Sequence, residues 1–264
     1  LQSSSAASDV YKRQIEKRVE GDTIDIEVRM MEGQQFSIGR VLVQGNSKTN
    51  DHVVYREIRT RPGDLFSRTD IIRTQRELSQ LGYFNPEAFG VNPIQHPEDG
   101  TVDIEYTVEE KPSDQIELSG GWGGGRVVGT LGISFTNFAA SKMFKKGTWR
   151  PIPTGDGQRL SLRAQSNGLF FQSYNFSFTE PWLGGKKPNS LSFSVWRSIQ
   201  SNGQPRLIDG EINEARTSLQ ITGAQLGLGQ RWKKPDDWFV FQASLSYQHC
   251  LLYTSDAADE LCSG

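Results

Sequence analysis

Cysteine is scarce in this chain: only Cys250 and Cys262 occur among its 264 residues. Two cysteines are too few for a disulfide scaffold. No run of about 18 apolar residues is present, so the sequence predicts no transmembrane helix, although strands of alternating polarity can cross a membrane without raising the hydropathy. The mean hydropathy is −0.53 and the net charge is −2. This balance does not indicate a nucleic-acid partner, which would show as a clustered basic surface.

Motifs that carry chemistry are absent as well. The sequence contains no nucleophile elbow, Walker loop, paired-cysteine metal motif or HExxH segment. Its histidines, His52, His96 and His249, are scattered and form no ligand-spaced cluster. The glycine-rich stretch 120–125 has no helix pattern after it, so it is predicted to be a β-turn rather than a phosphate loop. We therefore expect no enzyme activity and no catalytic, metal or cofactor site.

The two ends of the chain, residues 1–14 and 250–264, follow neither helical nor strand periodicity. They resemble translated sequencing-adapter reads at the ends of metagenomic fragments. We expect both ends to be artefactual and set them aside from the fold prediction, as one would a cloning scar. No secretory signal peptide is visible at the start of the sequence.

A short repeat organises the first half of the chain. TIDIE at 23–27 recurs as TVDIE at 101–105, and each copy follows a turn-like stretch with a glycine and an acidic residue. Both copies alternate apolar and charged residues, which is the period of a half-buried strand. The offset of about 80 residues is that of one small repeated domain. We therefore assign residues 15–34 to the end of one unit and residues 35–111 to a complete second unit.

The complete unit is predicted to run strand, helix, helix, strand, strand. The turn Gly45–Asn46 ends the first strand, and Gly82 ends the second helix. The predicted strands are 36–43, 88–94 and 101–108, and the predicted helices are 50–58 and 67–81.

This order resembles a POTRA domain, and three segments carry the resemblance: VLVQGN at 41–46, GDLFS at 63–67 and LGYFNPE at 81–87. The resemblance implies a tight turn at the first glycine and a core filled by Leu81, Tyr83 and Phe84. Residues 15–34 would then end a preceding POTRA domain.

The second half of the chain, from residue 112 to residue 249, alternates with a period of two. Seven strands of roughly ten residues are predicted, a length that suits a tilted strand crossing a bilayer. Alternation alone fits either a soluble β-sandwich or a membrane barrel. Aromatic residues near strand ends, which suit the interfacial girdles of a barrel, favour the second. The strands are 115–122, 126–137, 157–167, 169–179, 189–200, 212–231 and 237–249, and the aromatics are Trp122, Phe138, Trp149, Phe170, Trp182, Trp232 and Trp238.

Two of these strands resemble barrel strands of the BamA-type family of outer-membrane protein assembly factors. LGISFTNF at 131–138 is similar to the family's second barrel strand, with Asn137 at its turn, and FSFTEPWL at 176–183 to the fourth, with Pro181 closing it. An insertion at 138–157, where many members have a short turn, has no assigned role. The expected fold is an α+β POTRA domain followed by the N-terminal strands of an antiparallel transmembrane β-barrel.

The resemblance implies a protein of the bacterial outer membrane with its POTRA domain in the periplasm, and such a protein needs an export signal upstream. Its expected partners are unfolded outer-membrane proteins, accessory assembly lipoproteins and the lipid bilayer. Clients are expected to pair with strand edges. The candidate edge residues are Ala88, Val91 and Ile94 of the POTRA domain and Gln115, Ile116, Glu117, Leu118, Ser119 and Gly120 of the first barrel strand.

Three other functions stay open at this point. A two-partner secretion pore and a translocation and assembly module protein also join POTRA domains to a barrel. A soluble β-rich binding protein would explain the alternation without a membrane.

Overall fold

The structure is a computed structural model that describes residues 11–18, 24–31, 34–123, 126–145, 152–185, 187–208, 210–213, 215–232, 234 and 239–253. The chain divides into two compact units, Leu1–Pro112 and Ser113–Gly264. Within the described residues, no helix is both long and apolar enough to cross a membrane.

In its described residues, the first unit holds five strands, two α-helices and one short 3-10 helix. Strands β1 and β2 form an antiparallel hairpin. Strands β3, β5 and β4 form a sheet in that order, with β3 parallel and β4 antiparallel to β5. The predicted order of strand, helix, helix, strand, strand is confirmed for residues 37–107. The elements are β1 Tyr11–Arg18, β2 Ile24–Met31, β3 Ser37–Gln44, α1 Asp51–Tyr55, α2 Arg68–Gln80, β4 Gly90–His96 and β5 Thr101–Thr107.

Side chains from both helices and the central strand make one core in this unit. The Ser67 hydroxyl caps α2 by accepting from the Asp70 backbone N–H at 3.3 Å. Tyr106 is fully buried, and its hydroxyl bonds the Thr60 hydroxyl at 2.8 Å, so its polar end is satisfied. Tyr83 and Phe84 are buried as predicted, whereas Leu81 is partly buried. The other buried core residues are Ile38, Val53, Val54, Ile58, Leu78, Val102, Ile104 and Val108.

Glu110 ties the turn after β3 to the chain that leaves β5. Its carboxylate accepts from the backbone N–H groups of Lys48 at 2.9 Å and Thr49 at 2.7 Å, and from the Ser47 hydroxyl at 2.8 Å. Burial by itself would raise the pKa of this carboxyl. The hydrogen bonds together outweigh burial and hold the Glu110 pKa below its ordinary value of 4.5.

The first unit is therefore expected to lose stability in acid. A carboxyl whose pKa is lowered by folding stabilises the fold at pH values above its ordinary pKa of 4.5, and this contribution is lost as the pH falls through the folded pKa. Glu110→Gln should remove that part of the acid dependence, while Glu109→Gln, at an exposed neighbour, should retain it. Hydrogen exchange of the Lys48 and Thr49 amides between pH 3 and 7 measures the acid dependence of both variants. Equal profiles for the two variants would contradict the assignment.

The described residues of the second unit form a seven-stranded antiparallel sheet and a separate two-stranded hairpin. The order of the larger sheet is β14-β13-β10-β9-β8-β7-β6, and neighbours in this order are hydrogen-bonded. Each strand lies within a few residues of its predicted place, with one exception described next. The strands are β6 Gln115–Gly123, β7 Arg126–Phe138, β8 Gln158–Asn167, β9 Phe171–Glu180, β10 Asn189–Ser201, β11 Leu207–Ile208, β12 Glu211–Ile212, β13 Ser218–Arg231 and β14 Val240–Tyr253.

The predicted strand 212–231 is wrong at its beginning. Strand β13 starts only at Ser218, and β11 and β12 form a separate small hairpin before it. Asn213 is the reason, because its side chain turns the chain there. It donates to the Pro205 carbonyl at 3.0 Å and accepts from the Ala215 N–H at 3.1 Å.

The sheet has one apolar face and one polar face. Residues paired across antiparallel strands share a face, so the registers give complete rows. One row is apolar throughout: Ile133, Leu162, Phe176, Val195, Ala224 and Tyr247. The next row is on the other face: Glu117, Gly132, Arg163, Asn175, Trp196, Gly223 and Gln248.

Two strands extend into the ends that were expected to be artefactual. Strand β1 begins at Tyr11, within 1–14, and β14 continues to Tyr253, within 250–264. The backbone ladder explains the second case, because Cys250 pairs with Ile221 and Tyr253 with Ser218 whatever their side chains are. Residues 1–10 and 254–264 lie outside the described residues, as do Trp149 and Trp238.

Candidate binding edges of the two sheets

Each unit exposes an edge strand that was predicted as a binding site. Strand β4 is at one side of the three-stranded sheet, and β6 is at one side of the seven-stranded sheet. Backbone N–H and C=O groups of successive residues point to opposite sides of a strand, so every second residue of an edge strand has unpaired groups. Which residues these are follows from the hydrogen bonds of the neighbouring strands.

For β6 the alternation can be followed across the sheet. The Ser201 N–H donates to the Phe170 carbonyl at 2.8 Å. Along β9, the backbone groups of even-numbered residues therefore point toward β10. When the same alternation is followed through the strand registers, the backbone groups of Gln115, Glu117 and Ser119 point toward β7. The groups of Ile116, Leu118 and Gly120 therefore face the free edge.

Two other hydrogen bonds support this assignment on the far side of the sheet. The Asn202 N–H donates to the Thr217 carbonyl at 3.1 Å, and the Trp232 N–H donates to the Phe239 carbonyl at 2.9 Å. Both follow the same alternation through the β10–β13 and β13–β14 registers. The free edge of β6 is thus fixed by three independent bonds.

The β6 edge is also apolar. The side chains of Ile116, Leu118 and Trp122 are 76%, 81% and 76% exposed, respectively. Ile116 and Leu118 pair with Ile133 and Leu131, so they extend the apolar face to the margin of the sheet. An edge with free backbone groups and exposed apolar side chains is suited to accept another strand.

One ion pair crosses the polar face near this edge. The Arg163 guanidinium lies 3.2 Å from the Glu117 carboxylate, and both side chains are about half exposed. The residue between them in the row is Gly132, where a Cβ would lie 3.2 Å from the Glu117 side chain. Glycine at 132 therefore leaves the space across which the Arg163 side chain of β8 reaches the Glu117 carboxylate of β6.

For β4 the same argument starts from β5. The Val108 N–H donates to the Gln44 carbonyl of β3 at 2.8 Å, so even-numbered residues of β5 point to β3 and odd-numbered ones to β4. The backbone groups of Asn92 and Ile94, which pair with Glu105 and Asp103, therefore form hydrogen bonds with β5. Val91, Pro93 and Gln95 face the free edge, and Pro93 has no N–H to offer.

The predicted POTRA edge residues consequently differ in their roles. Val91 does face the edge. Ile94 exposes its side chain, but its backbone bonds β5. Ala88 was misplaced, because it lies in a 3-10 helix, Pro86–Ala88, which precedes β4 and is capped by the Asn85 side chain accepting from the Glu87 N–H. The sequence prediction missed Gln95 and did not weigh Pro93, although proline in a strand indicates an outward-facing position.

Replacing Pro93 by valine restores an outward N–H in the middle of the β4 edge. If clients add a strand there, their affinity should rise about two- to tenfold, since one backbone hydrogen bond contributes roughly 0.5–1.5 kcal/mol. Titration of the full-length protein with a fluorescent peptide from a client strand measures this. Asn92→Val is the control, because residue 92 bonds β5. An unchanged affinity for Pro93→Val would show that clients do not pair with β4.

The predicted turn positions have different surroundings. Gly45 and Gly82 have φ angles of 95° and 88°, which favour glycine. The Asn46 amide donates to the Thr49 carbonyl at 3.0 Å and to the Asp51 carboxylate at 2.7 Å. Pro181 directly follows β9.

Asn137 is not a simple turn residue. It lies within β7, just before that strand ends, and is buried. Its side-chain oxygen accepts from the Gly157 N–H at 2.9 Å and its backbone carbonyl from the Gly155 N–H at 2.9 Å. It therefore fastens the far end of the inserted loop to β7.

Comparison with known proteins agrees with this architecture. Residues 36–111 match the POTRA family model, described as a surface antigen variable number repeat. The chain is 26% identical over 209 residues to the outer membrane protein assembly factor BamA of Neisseria meningitidis, covering 79% of this chain and 24% of that protein. It is 30% identical over 167 residues to BamA of Nitratidesulfovibrio vulgaris, covering 63% of this chain and 19% of that protein.

A solved structure extends the match to the whole fold. The crystal structure of BamA from Haemophilus ducreyi lacking POTRA domains 1–3 superposes with a TM-score of 0.59 at 20% identity, covering 94% of this chain and 42% of that one. The chain thus spans about a quarter or less of the sequence relatives and under half of the solved chain. Residues 36–111 are a POTRA domain, and the chain as a whole is similar to outer-membrane protein assembly factors of the BamA type and shares their fold of a POTRA domain followed by antiparallel strands.

Proposed function

We propose that this protein assembles outer-membrane β-barrels by offering the free edge of β6 to an unfolded client strand. The protein is located in the bacterial outer membrane, with its POTRA domain in the periplasm. The observation that carries the proposal is the combination at Ile116, Leu118 and Gly120 of free backbone groups with an exposed apolar margin.

The physical problem for a client is its unpaired backbone. Each unsatisfied N–H or C=O group costs several kcal/mol in hydrocarbon, so a strand cannot enter the membrane alone. A template edge pairs those groups before the client barrel has closed. Backbone pairing requires little of the client's side chains, which suits a factor that handles many different barrels.

The described side-chain contacts that attach β6 to the rest of the sheet are weak. The Glu117–Arg163 pair is half exposed and contributes at most about 1 kcal/mol. Gly120 and Gly121, at the far end of β6, have no side chains that could pack on a neighbouring strand. We propose β4 as a secondary edge that holds clients less tightly, because Pro93 removes its central donor.

We also propose that the work needs neither an enzymatic step nor a cofactor. The driving force would be the folding of the client itself, which gains a complete backbone ladder and a lipid-matched surface. The proposed partners are unfolded outer-membrane proteins and the bilayer, together with accessory lipoproteins that would bind the POTRA region.

Depletion of the full-length protein in its host, followed by quantitative proteomics of the outer membrane, tests the function. A joint fall of many unrelated barrel proteins would support general assembly. Loss of a single secreted protein while other barrels persist would show a dedicated secretion pore instead. Migration of the unheated protein at the same position as the heated protein on a gel would argue against a closed barrel and for a soluble sheet protein.

A further inference from the structure

The described segments of the inserted loop between β7 and β8, 139–145 and 152–157, are folded against the end of β7. The Ala139 N–H donates to the Pro153 carbonyl at 3.0 Å, and Phe138 forms an isolated bridge with Thr154. Ala139 and Pro153 are fully buried. Together with the two bonds to Asn137, these contacts hold both described ends of the loop, 139–145 and 152–157, against the end of β7.

The loop lies over the apolar face of the sheet. Gln158 is on that face, because it is two residues from Leu160 in β8, and its side-chain oxygen accepts from the Ala140 N–H at 2.7 Å. Exposure along the same face of β7 falls from 49% at Leu131 to 9% at Phe135 and 5% at Phe138, as the strand approaches the loop. The described loop segments therefore cover the margin of the apolar face.

A network of polar groups joins the loop to the next hairpin. The Gln158 amide donates to the Glu180 carboxylate at 2.6 Å, and that carboxylate also accepts from the Trp182 N–H at 3.0 Å. Polar groups at the margin of an apolar face suit the level at which hydrocarbon gives way to headgroups.

Two apolar side chains are exposed near the end of the described segment 139–145. The Phe144 side chain is 89% exposed and Met143 is 38% exposed. Lys142 and Lys145 are on either side of them in the sequence, and the Lys142 amine donates to the Thr154 carbonyl at 2.9 Å, which joins the two described segments of the loop. Exposed apolar side chains flanked by lysines favour the interface of an anionic membrane.

We infer that loop segment 139–145 anchors the barrel wall in the adjacent phospholipid leaflet, with Phe144 among the acyl-chain segments nearest the headgroups and Lys145 beside anionic phosphates. The loop is at the end of the sheet where β6 begins, directly after the periplasmic POTRA domain in the chain, so the leaflet is the periplasmic one. This inference rests on membrane insertion of the sheet but not on client binding.

The test places an environment-sensitive dye on the full-length protein in phosphatidylethanolamine–phosphatidylglycerol vesicles. Phe144→Cys is labelled in a background in which every cysteine of the full-length protein is replaced by serine. Leu226→Cys, on the apolar face of β13, is the membrane control, and Glu98→Cys, in the exposed turn after β4, is the water control. Lipids carrying a quencher near the headgroup or deep in the acyl chain report the depth of each dye.

We expect shallow quenching at 144, deep quenching at 226 and none at 98. An unquenched dye at 144 beside a quenched dye at 226 would overturn the anchor while leaving the barrel intact. If neither is quenched, membrane insertion itself fails. A dye at 144 that responds only when an unfolded barrel protein is added would identify segment 139–145 as a client contact, which also overturns the anchor.

Lys145→Gln tests the electrostatic part. Quenching at 144 should fall by about twofold in vesicles containing phosphatidylglycerol, where each surface lysine contributes to attraction, and stay constant in neutral phosphatidylcholine. Equal quenching of the lysine and glutamine proteins in both lipids would overturn the role of Lys145.

Discussion

Leu118→Pro is expected to slow the assembly of client barrels roughly tenfold while leaving the sheet folded, because the lost N–H leaves a client carbonyl unpaired in lipid at a cost of about 1.4 kcal/mol or more. The backbone N–H of residue 118 points away from β7, so proline removes no hydrogen bond of the existing β6–β7 ladder. Its fixed φ is compatible with an edge strand. The change thus affects what β6 offers to a partner and spares what holds β6 in place.

Two control variants separate the possible causes. Leu118→Ala retains the N–H and removes only the exposed side chain, so a milder effect is expected. Ser119→Pro removes an N–H that bonds β7 and should loosen β6 itself, which hydrogen exchange of Thr130 would reveal. Assembly is measured as the rate at which a reference barrel becomes heat-modifiable in vesicles with the full-length protein. Equal rates for Leu118→Pro and Leu118→Ala would exclude backbone pairing at this position.

The sequence pattern predicted the faces of the sheet but not its edges. Alternation shows which side chains share a face, since apolar residues collect on the side that avoids water. It does not show which side of the strand a backbone group faces, because that depends on the hydrogen bonds of the neighbouring strands. Hence Gln115 to Gly120 were predicted as one edge, whereas only Ile116, Leu118 and Gly120 face it.

Local irregularities account for other misses. The register shifts between Phe135 and Phe138, so both phenylalanines lie on the apolar face although three positions separate them. Such a bulge breaks the period of two, and the loop that follows it was left without a role. Ala88 shows a different limit. Its neighbour Pro86 starts a 3-10 turn that a strand pattern does not indicate.

Gly45→Ala is expected to destabilise the POTRA domain by roughly 3–5 kcal/mol, the sum of left-handed strain and overpacking. Gly45 has a φ of 95°, and an added Cβ would overlap the carbonyl oxygen of Val108. The Val108 N–H donates to the Gln44 carbonyl at 2.8 Å, so relieving the overlap would break the bond that joins the ends of β3 and β5. A small domain has only about 5–15 kcal/mol of stability in total.

Gly63→Ala is the matched control for this change. Gly63 has nearly the same φ, 90°, but nothing lies within 4 Å of an added Cβ. It therefore isolates backbone strain, expected to cost about 1–2 kcal/mol. Hydrogen exchange of the Ile104 and Tyr106 amides in the full-length protein reports the stability of this core without relying on tryptophan, since all six tryptophans lie after residue 121. If the two variants lost equal stability, the contact between Gly45 and Val108 would contribute nothing beyond the φ angle. A larger loss at Gly45 would show that the close approach of β3 to β5 requires glycine there.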